Sequence, residues 1–187
     1  MRAGMNLSFF IAIAALGSTT LQAKADLVIL VRHAEKSSTA DDAGLTPAGR
    51  ERAEALAGSL AHVRLSAILT TQYPRTALTA EPAARQQNLT PRVVASRGDV
   101  PAHAAAVAAA LDELPDGSAA LVVGHSNTIA PIIAALGGPA VPCLCDAEHA
   151  TLYVLQRGAA SKQPAQLLRI RYGAPDPPEA ESCRQGR

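Results

Sequence analysis

The chain has 187 residues, 48% of them hydrophobic and 18% charged, and a formal net charge of +1. That balance excludes a disordered polyelectrolyte and suits one globular domain. With no Trp, three Tyr and two Phe, nucleic-acid binding by stacked bases is excluded, and the near-neutral charge leaves no basic footprint for DNA or RNA.

The bulk of any core must come from Leu, Val, Ile and 40 Ala, which predicts helices packed closely on a small sheet. Residues 1–25 read as an export signal. Arg2 gives a positive start, residues 7–16 form an apolar run, and Ala23-Lys24-Ala25 offers a small-x-small cleavage site. The run is shorter than the roughly 20 apolar residues a membrane span requires. Cleavage would remove Arg2 and Lys24 but no acid, taking the net charge to −1. The expectation is a periplasmic or secreted protein with no stable membrane anchor once the signal is removed.

Residues 26–31 (DLVILV) form a continuous apolar run, as expected of a strand buried on both faces. Thr46-Pro47 is a helix start, with Thr46 as cap and Pro47 in the first turn. Ala53, Leu56, Ala57 and Leu60 then make one apolar stripe. A second strand is predicted over 66–70, a helix over 74–87 and a short strand over 92–95. An Ala-rich helix over 101–114 is stopped by Pro115-Asp116-Gly117. Residues 119–123 (AALVV) read as a central strand, 128–136 as a helix closed by Gly137-Gly138, and 151–156 with 167–171 as a closing pair of strands. Alternating strands and helices predict an α/β three-layer sandwich, a mainly parallel sheet with helices on both faces. The domain would span 26–173, followed by a Pro-rich tail over 174–187. In an oxidising compartment Cys183 of that tail could pair with Cys143 or Cys145, which are too close to pair easily with each other; three unpaired thiols are the alternative.

The polar residues cluster where strands end. The first strand runs into Arg32-His33-Ala34-Glu35-Lys36, the second is followed by Tyr73-Pro74-Arg75-Thr76, and the 119–123 strand delivers Gly124-His125-Ser126-Asn127. Ligands of open α/β sheets bind beyond the strand carboxyl ends. Two Arg and two His arriving there could hold one anion: Arg32 and Arg75 offer forked donors to phosphate oxygens. His33 could attack phosphorus, and His125 could donate to the equatorial oxygens. This chemistry calls for no metal and no cofactor, because the cations are side chains. Gly124-His125-Ser126 is not a serine-hydrolase elbow, since Asn127 and Thr128 follow. Taken singly, each of these residues also has a plain turn or surface role.

Leu30-Val31-Arg32-His33-Ala34-Glu35-Lys36 resembles the signature of the histidine phosphatase superfamily, the phosphoglycerate mutase-like group. Leu45-Thr46-Pro47-Ala48-Gly49 resembles its helix entry, residues 73–80 its second-arginine segment, and residues 122–127 its second-histidine motif. The resemblance covers nearly the whole chain after residue 25. It implies a phosphoglycerate mutase-like fold, His33 as the phosphorylated nucleophile, and Arg32, Arg75 and His125 as the phosphate pocket.

Ala34 replaces the family's usual Gly, and no clear acidic motif lies between Arg75 and His125. Asp99 stands in that stretch as candidate general acid, although it could equally cap the helix beginning at Pro101. Glu35 is the next candidate and Glu81 a more distant one. The implied activity is hydrolysis of phosphate esters, of small molecules or glycans, by an exported phosphomonoesterase. A mutase-type phosphoryl transferase and a catalytically weak phosphate-binding module are the alternatives.

Overall fold

The computed structural model describes residues 25–158 and 164–179. The export-signal reading, Cys183 and most of the tail lie outside the described residues. Six strands form one sheet: β1 (Leu27–Arg32), β2 (Leu65–Thr70), β3 (Arg92–Val93), β4 (Ala119–Gly124), β5 (Thr151–Gln156) and β6 (Gln166–Arg171). Their order across the sheet is β3-β2-β4-β1-β5-β6. The first four are mutually parallel, while β5 runs antiparallel to β1 and β6 antiparallel to β5. The expected mainly parallel α/β sandwich is the fold observed.

Successive strand residues point to opposite faces, and the core divides accordingly. Val28, Leu30, Ala120 and Val122 pack with Val107, Leu111, Ile129 and Ile132. These come from α3 (Val100–Asp112) and α4 (Ile129–Ala135). Ile29, Val31, Leu121 and Val123 pack with Leu56, Ala57, Ala80 and Ala83. These come from α1 (Pro47–Ser59) and α2 (Pro74–Gln87). Alanine at the helix contacts lets helices lie close to the sheet.

Thr46 caps α1 as expected, its hydroxyl accepting from the Gly49 N–H at 3.0 Å. Several predicted elements shift by a residue or two at their ends, and two of the shifts bear on the site. The strand expected over 92–95 contracts to Arg92–Val93, because beyond it the Gln72 side-chain amide pairs with the backbone of Ser96. The third helix starts at Val100, one residue before Pro101, with Asp99 at its N-cap. No described helix is long and apolar enough to cross a membrane.

Candidate active site

The register sets the site. Arg32 ends β1 opposite Gly124 of β4, and β2 lies on the other side of β4. The loops leaving these three strands therefore emerge side by side. They deliver Arg32, His33, Arg75 and His125 to one cavity of about 470 Å³, lined also by Lys36, Tyr73, Ser126, Asn127 and Asp146.

Glycine allows the close approaches. A Cβ at Gly49 would meet the Glu35 carbonyl oxygen at 2.4 Å, so a side chain there would push against the loop that carries His33. At Gly124 a Cβ would stand 2.8 Å from the Thr128 hydroxyl, which accepts the His125 N–H. Thr79 ties two segments together: its hydroxyl accepts from the Ala34 N–H at 2.9 Å and donates to the Arg75 carbonyl at 2.7 Å. The small residue that a tight loop needs at position 34 is fully buried.

His33 is buried, and its Nδ1 donates to the Ala34 carbonyl at 2.8 Å. With the proton fixed on Nδ1, Nε2 keeps its lone pair. Burial pushes the His33 pKa down to about 3, and the positive Arg32 and Arg75 add to the effect. His125 is pushed down to about 4, again by burial first and Arg75 next. Both rings are therefore neutral at ordinary pH, as a nucleophilic imidazole must be. The rings stand 5.3 Å apart, edge to face, and Thr71 Oγ1 lies 3.0 Å from His125 Nε2.

Arg32 is anchored through one nitrogen: Nη1 donates to the carbonyls of Cys145 and Asp146, each at 2.7 Å. Arg75 stacks over Tyr73, with its guanidinium carbon 4.2 Å from the ring centre, and donates to the Asp41 carbonyl at 3.1 Å. The Nε donors of both arginines are buried and have no protein partner. Buried donors are normally satisfied, so both arginines that line this cavity keep donor capacity an anion could use.

The candidate acids are placed elsewhere. Asp99 caps α3, its Oδ1 accepting from the Ala102 N–H at 2.9 Å; Gly98 and Val100 line the cavity but Asp99 does not. The Glu35 carboxylate is gripped by Arg52 through Nε at 2.9 Å and Nη2 at 2.7 Å, and those bonds hold its pKa below the usual carboxylate range against the effect of burial. Glu81 pairs with Arg85 on the outer side of α2, beside a separate groove of about 480 Å³.

Several site groups escaped the sequence reading. His149 is buried and its Nδ1 donates to the His33 carbonyl at 2.9 Å. Asp176 receives the His149 and Ala150 N–H groups, both at 2.7 Å. Asp146 lines the cavity itself. Cys145 takes part in a disulfide. A buried polar pair, Glu148-His149, just ahead of an apolar strand was the one signal that could have drawn attention to this loop. Among the described residues, no group of three or more His, Cys, Asp and Glu is arranged to hold a metal ion.

The family model described as histidine phosphatase superfamily (branch 1) matches residues 28–96, which include Arg32, His33 and Arg75. Over that segment, the chain is similar to the histidine phosphatase superfamily. Similar solved structures include SixA from Agrobacterium tumefaciens, at 24% identity over 80% of this chain and 99% of that one, with a TM-score of 0.56. A mycobacterial glucosyl-3-phosphoglycerate phosphatase matches at 18% identity over 81% of this chain and all of that one, TM-score 0.56. A protein histidine phosphatase SixA complexed with tungstate matches at 17% identity over 78% and 96%, TM-score 0.59. At these identities the likeness establishes the shared fold. No curated protein sequence matches.

Proposed function

We propose that the protein is an exported phosphomonoesterase that works through a phosphohistidine on His33. The observation that carries this reading is the convergence of a neutral His33 with two buried, unpartnered guanidinium Nε donors on one cavity. Arg32 and Arg75 bind the phosphoryl oxygens. Nε2 of His33 attacks phosphorus, the P–O bond to the leaving group breaks, and its electron pair departs with the oxygen. His125 donates a ring N–H to the equatorial oxygens as charge shifts there. Water then attacks phosphorus, the N–P bond breaks with its pair returning to Nε2, and inorganic phosphate leaves. Arg32 and Arg75, with the His125 ring N–H, carry the charge stabilisation, so the reaction runs without added metal. The pattern in residues 1–25 supports a periplasmic or secreted setting.

A second reading takes phosphohistidine as the substrate, in line with what the SixA structures are named for. The placement of Asp99, Glu35 and Glu81 favours it: none of the three lines the cavity, and an imidazole leaves phosphorus with less help than an alkoxide.

The test is a panel of aryl phosphate, alkyl phosphate and phosphoramidate substrates assayed with and without chelator. Hydrolysis insensitive to chelator is expected, with acid-labile, base-stable label on the parent protein and none on His33→Ala. Label retained on His33→Ala would place the nucleophile elsewhere, and strict dependence on added zinc or magnesium would remove the mechanism. Turnover confined to the phosphoramidate would select the second reading.

A further inference from the structure

We propose that Asp146 is the proton acceptor for the water that removes the phosphoryl group from His33. The role rests on the phosphohistidine reading above and assigns the group which that reading leaves open.

Among the described residues that line the cavity with Arg32, His33, Arg75 and His125, Asp146 is the one carboxylate. Its side chain is 98% exposed, and Oδ1 lies 3.8 Å from Arg32 Nη2. The carboxylate therefore stands beside the guanidinium that binds phosphate, reachable by water. Its main chain, by contrast, is fixed. The Asp146 carbonyl accepts from Arg32 Nη1, the neighbouring Cys145 N–H donates to Glu148, and Leu144 N–H donates to the Ser126 carbonyl at 3.1 Å. An exposed carboxylate on an anchored backbone can meet a water approaching phosphorus from the solvent side.

The two nearer candidates weighed above are committed. Asp99 holds the α3 N-terminus and Glu35 is clamped by Arg52. The Asp146 carboxylate, exposed beside the guanidinium, stands where an incoming water can reach it. In the step, water oxygen bonds to phosphorus and the N–P bond to Nε2 breaks. One water proton passes to an Asp146 carboxylate oxygen and later to bulk solvent. Because Asp146 acts on the water of the second step, the first step gains nothing from it, and substrates whose leaving groups depart unprotonated should react best.

Asp146→Asn tests this by rapid-quench kinetics on an aryl phosphate. The amide keeps the backbone carbonyls that hold Arg32, so vanadate inhibition and phosphoryl transfer to His33 should stay within about twofold of the parent. Steady-state turnover should fall by about 10²-fold, the scale of one general base, and phosphoenzyme should accumulate. Asp146→Glu should recover part of the loss. Unchanged turnover without accumulation would overturn the assignment. So would weakened vanadate binding with a slowed first step, which would make Asp146 a support for Arg32. A parent protein that turns over with no phosphoryl label on His33 would remove the phosphohistidine reading itself, an outcome distinct from either.

Discussion

The two flanks of β1 differ in what they supply. On the β4 side, parallel strands end together and hand Arg32, Arg75 and His125 to the cavity from crossover loops. On the β5 side the antiparallel return brings carbonyls and carboxylates that grip those groups from behind. Cys145 and Asp146 carbonyls hold Arg32, His149 holds the His33 carbonyl, and Asp176 holds the His149 backbone. One flank carries the basic side chains that line the cavity, the other the frame that aims them. The same division separates groups whose loss should cost activity from groups whose loss should cost stability.

Substitutions on opposite flanks should sort in that way. Arg75→Ala removes a forked donor whose partners among the described residues are the Asp41 carbonyl and the Tyr73 ring. It should lower kcat/KM for an aryl phosphate by about 10²-fold or more while leaving Tm near the parent value. Asp176 lies on the frame side, its side chain 1% exposed, with two 2.7 Å backbone bonds and Arg171 at 3.5 Å. Asp176→Ala leaves buried N–H groups unpaired and should cost about 2 kcal/mol of stability. Its loss of activity should be the smaller of the two. Denaturant melts and kinetics on both proteins check the division; a large Tm loss in Arg75→Ala would break it.

Acid should weaken both flanks together. His33, His103, His125 and His149 are all pushed below the ordinary histidine value, by burial foremost. In the unfolded chain these rings take up protons near pH 6.5, while folded His33 and His125 wait until about 3 and about 4. The unfolded state then binds more protons, so stability falls as pH drops below 6.5. At about 1.4 kcal/mol per pH unit, each of these two rings costs about 2 kcal/mol by pH 5. Tm measured at pH 7.5 and pH 5 should fall clearly, and His33→Gln should remove about one ring's share. A Tm independent of pH over that window would mean the rings are protonated in the fold.

The sequence disclosed the β4 flank far better than the β5 flank, for a physical reason. Helix 74–87 was legible because Pro74 suits the first turn and Leu89-Thr90-Pro91 follows its end; the structure closes it with a left-handed Asn88. Arg32, His33, Arg75 and His125 were legible because each sits within a few residues of an apolar strand or a helix start. The short strand after Pro91 was overextended because an edge strand pairs on one side only, and Gln72 takes over from its ladder. Arg32 is held by carbonyls 113 and 114 residues away. A carbonyl belongs to every residue, so no side-chain pattern announces it. Asp146, His149 and Asp176 gain their roles only when β5 folds back beside β1.

The smallest expected effect concerns Asp99, where one residue invites two explanations. Its Oδ1 accepts the Ala102 N–H at 2.9 Å, one of the donors that a helix start leaves without an intrahelical partner. Losing such a cap costs about 1 kcal/mol. Asp99→Ala should therefore lower stability by about that much, with rates on alkyl and aryl phosphates changed in equal and small proportion. A proton donor behaves differently, because an alkoxide needs the proton and a stabilised phenolate does not. Loss through a missing acid would reach about 10²-fold for the alkyl ester and leave the aryl ester nearly untouched. Gly98 and Val100 line the cavity on either side of Asp99, so a modest swing of the loop is all the acid role requires. The ratio of the two rates in one folded variant decides between them, independently of how much stability the variant has lost. A ratio unchanged from the parent keeps Asp99 as the cap of α3.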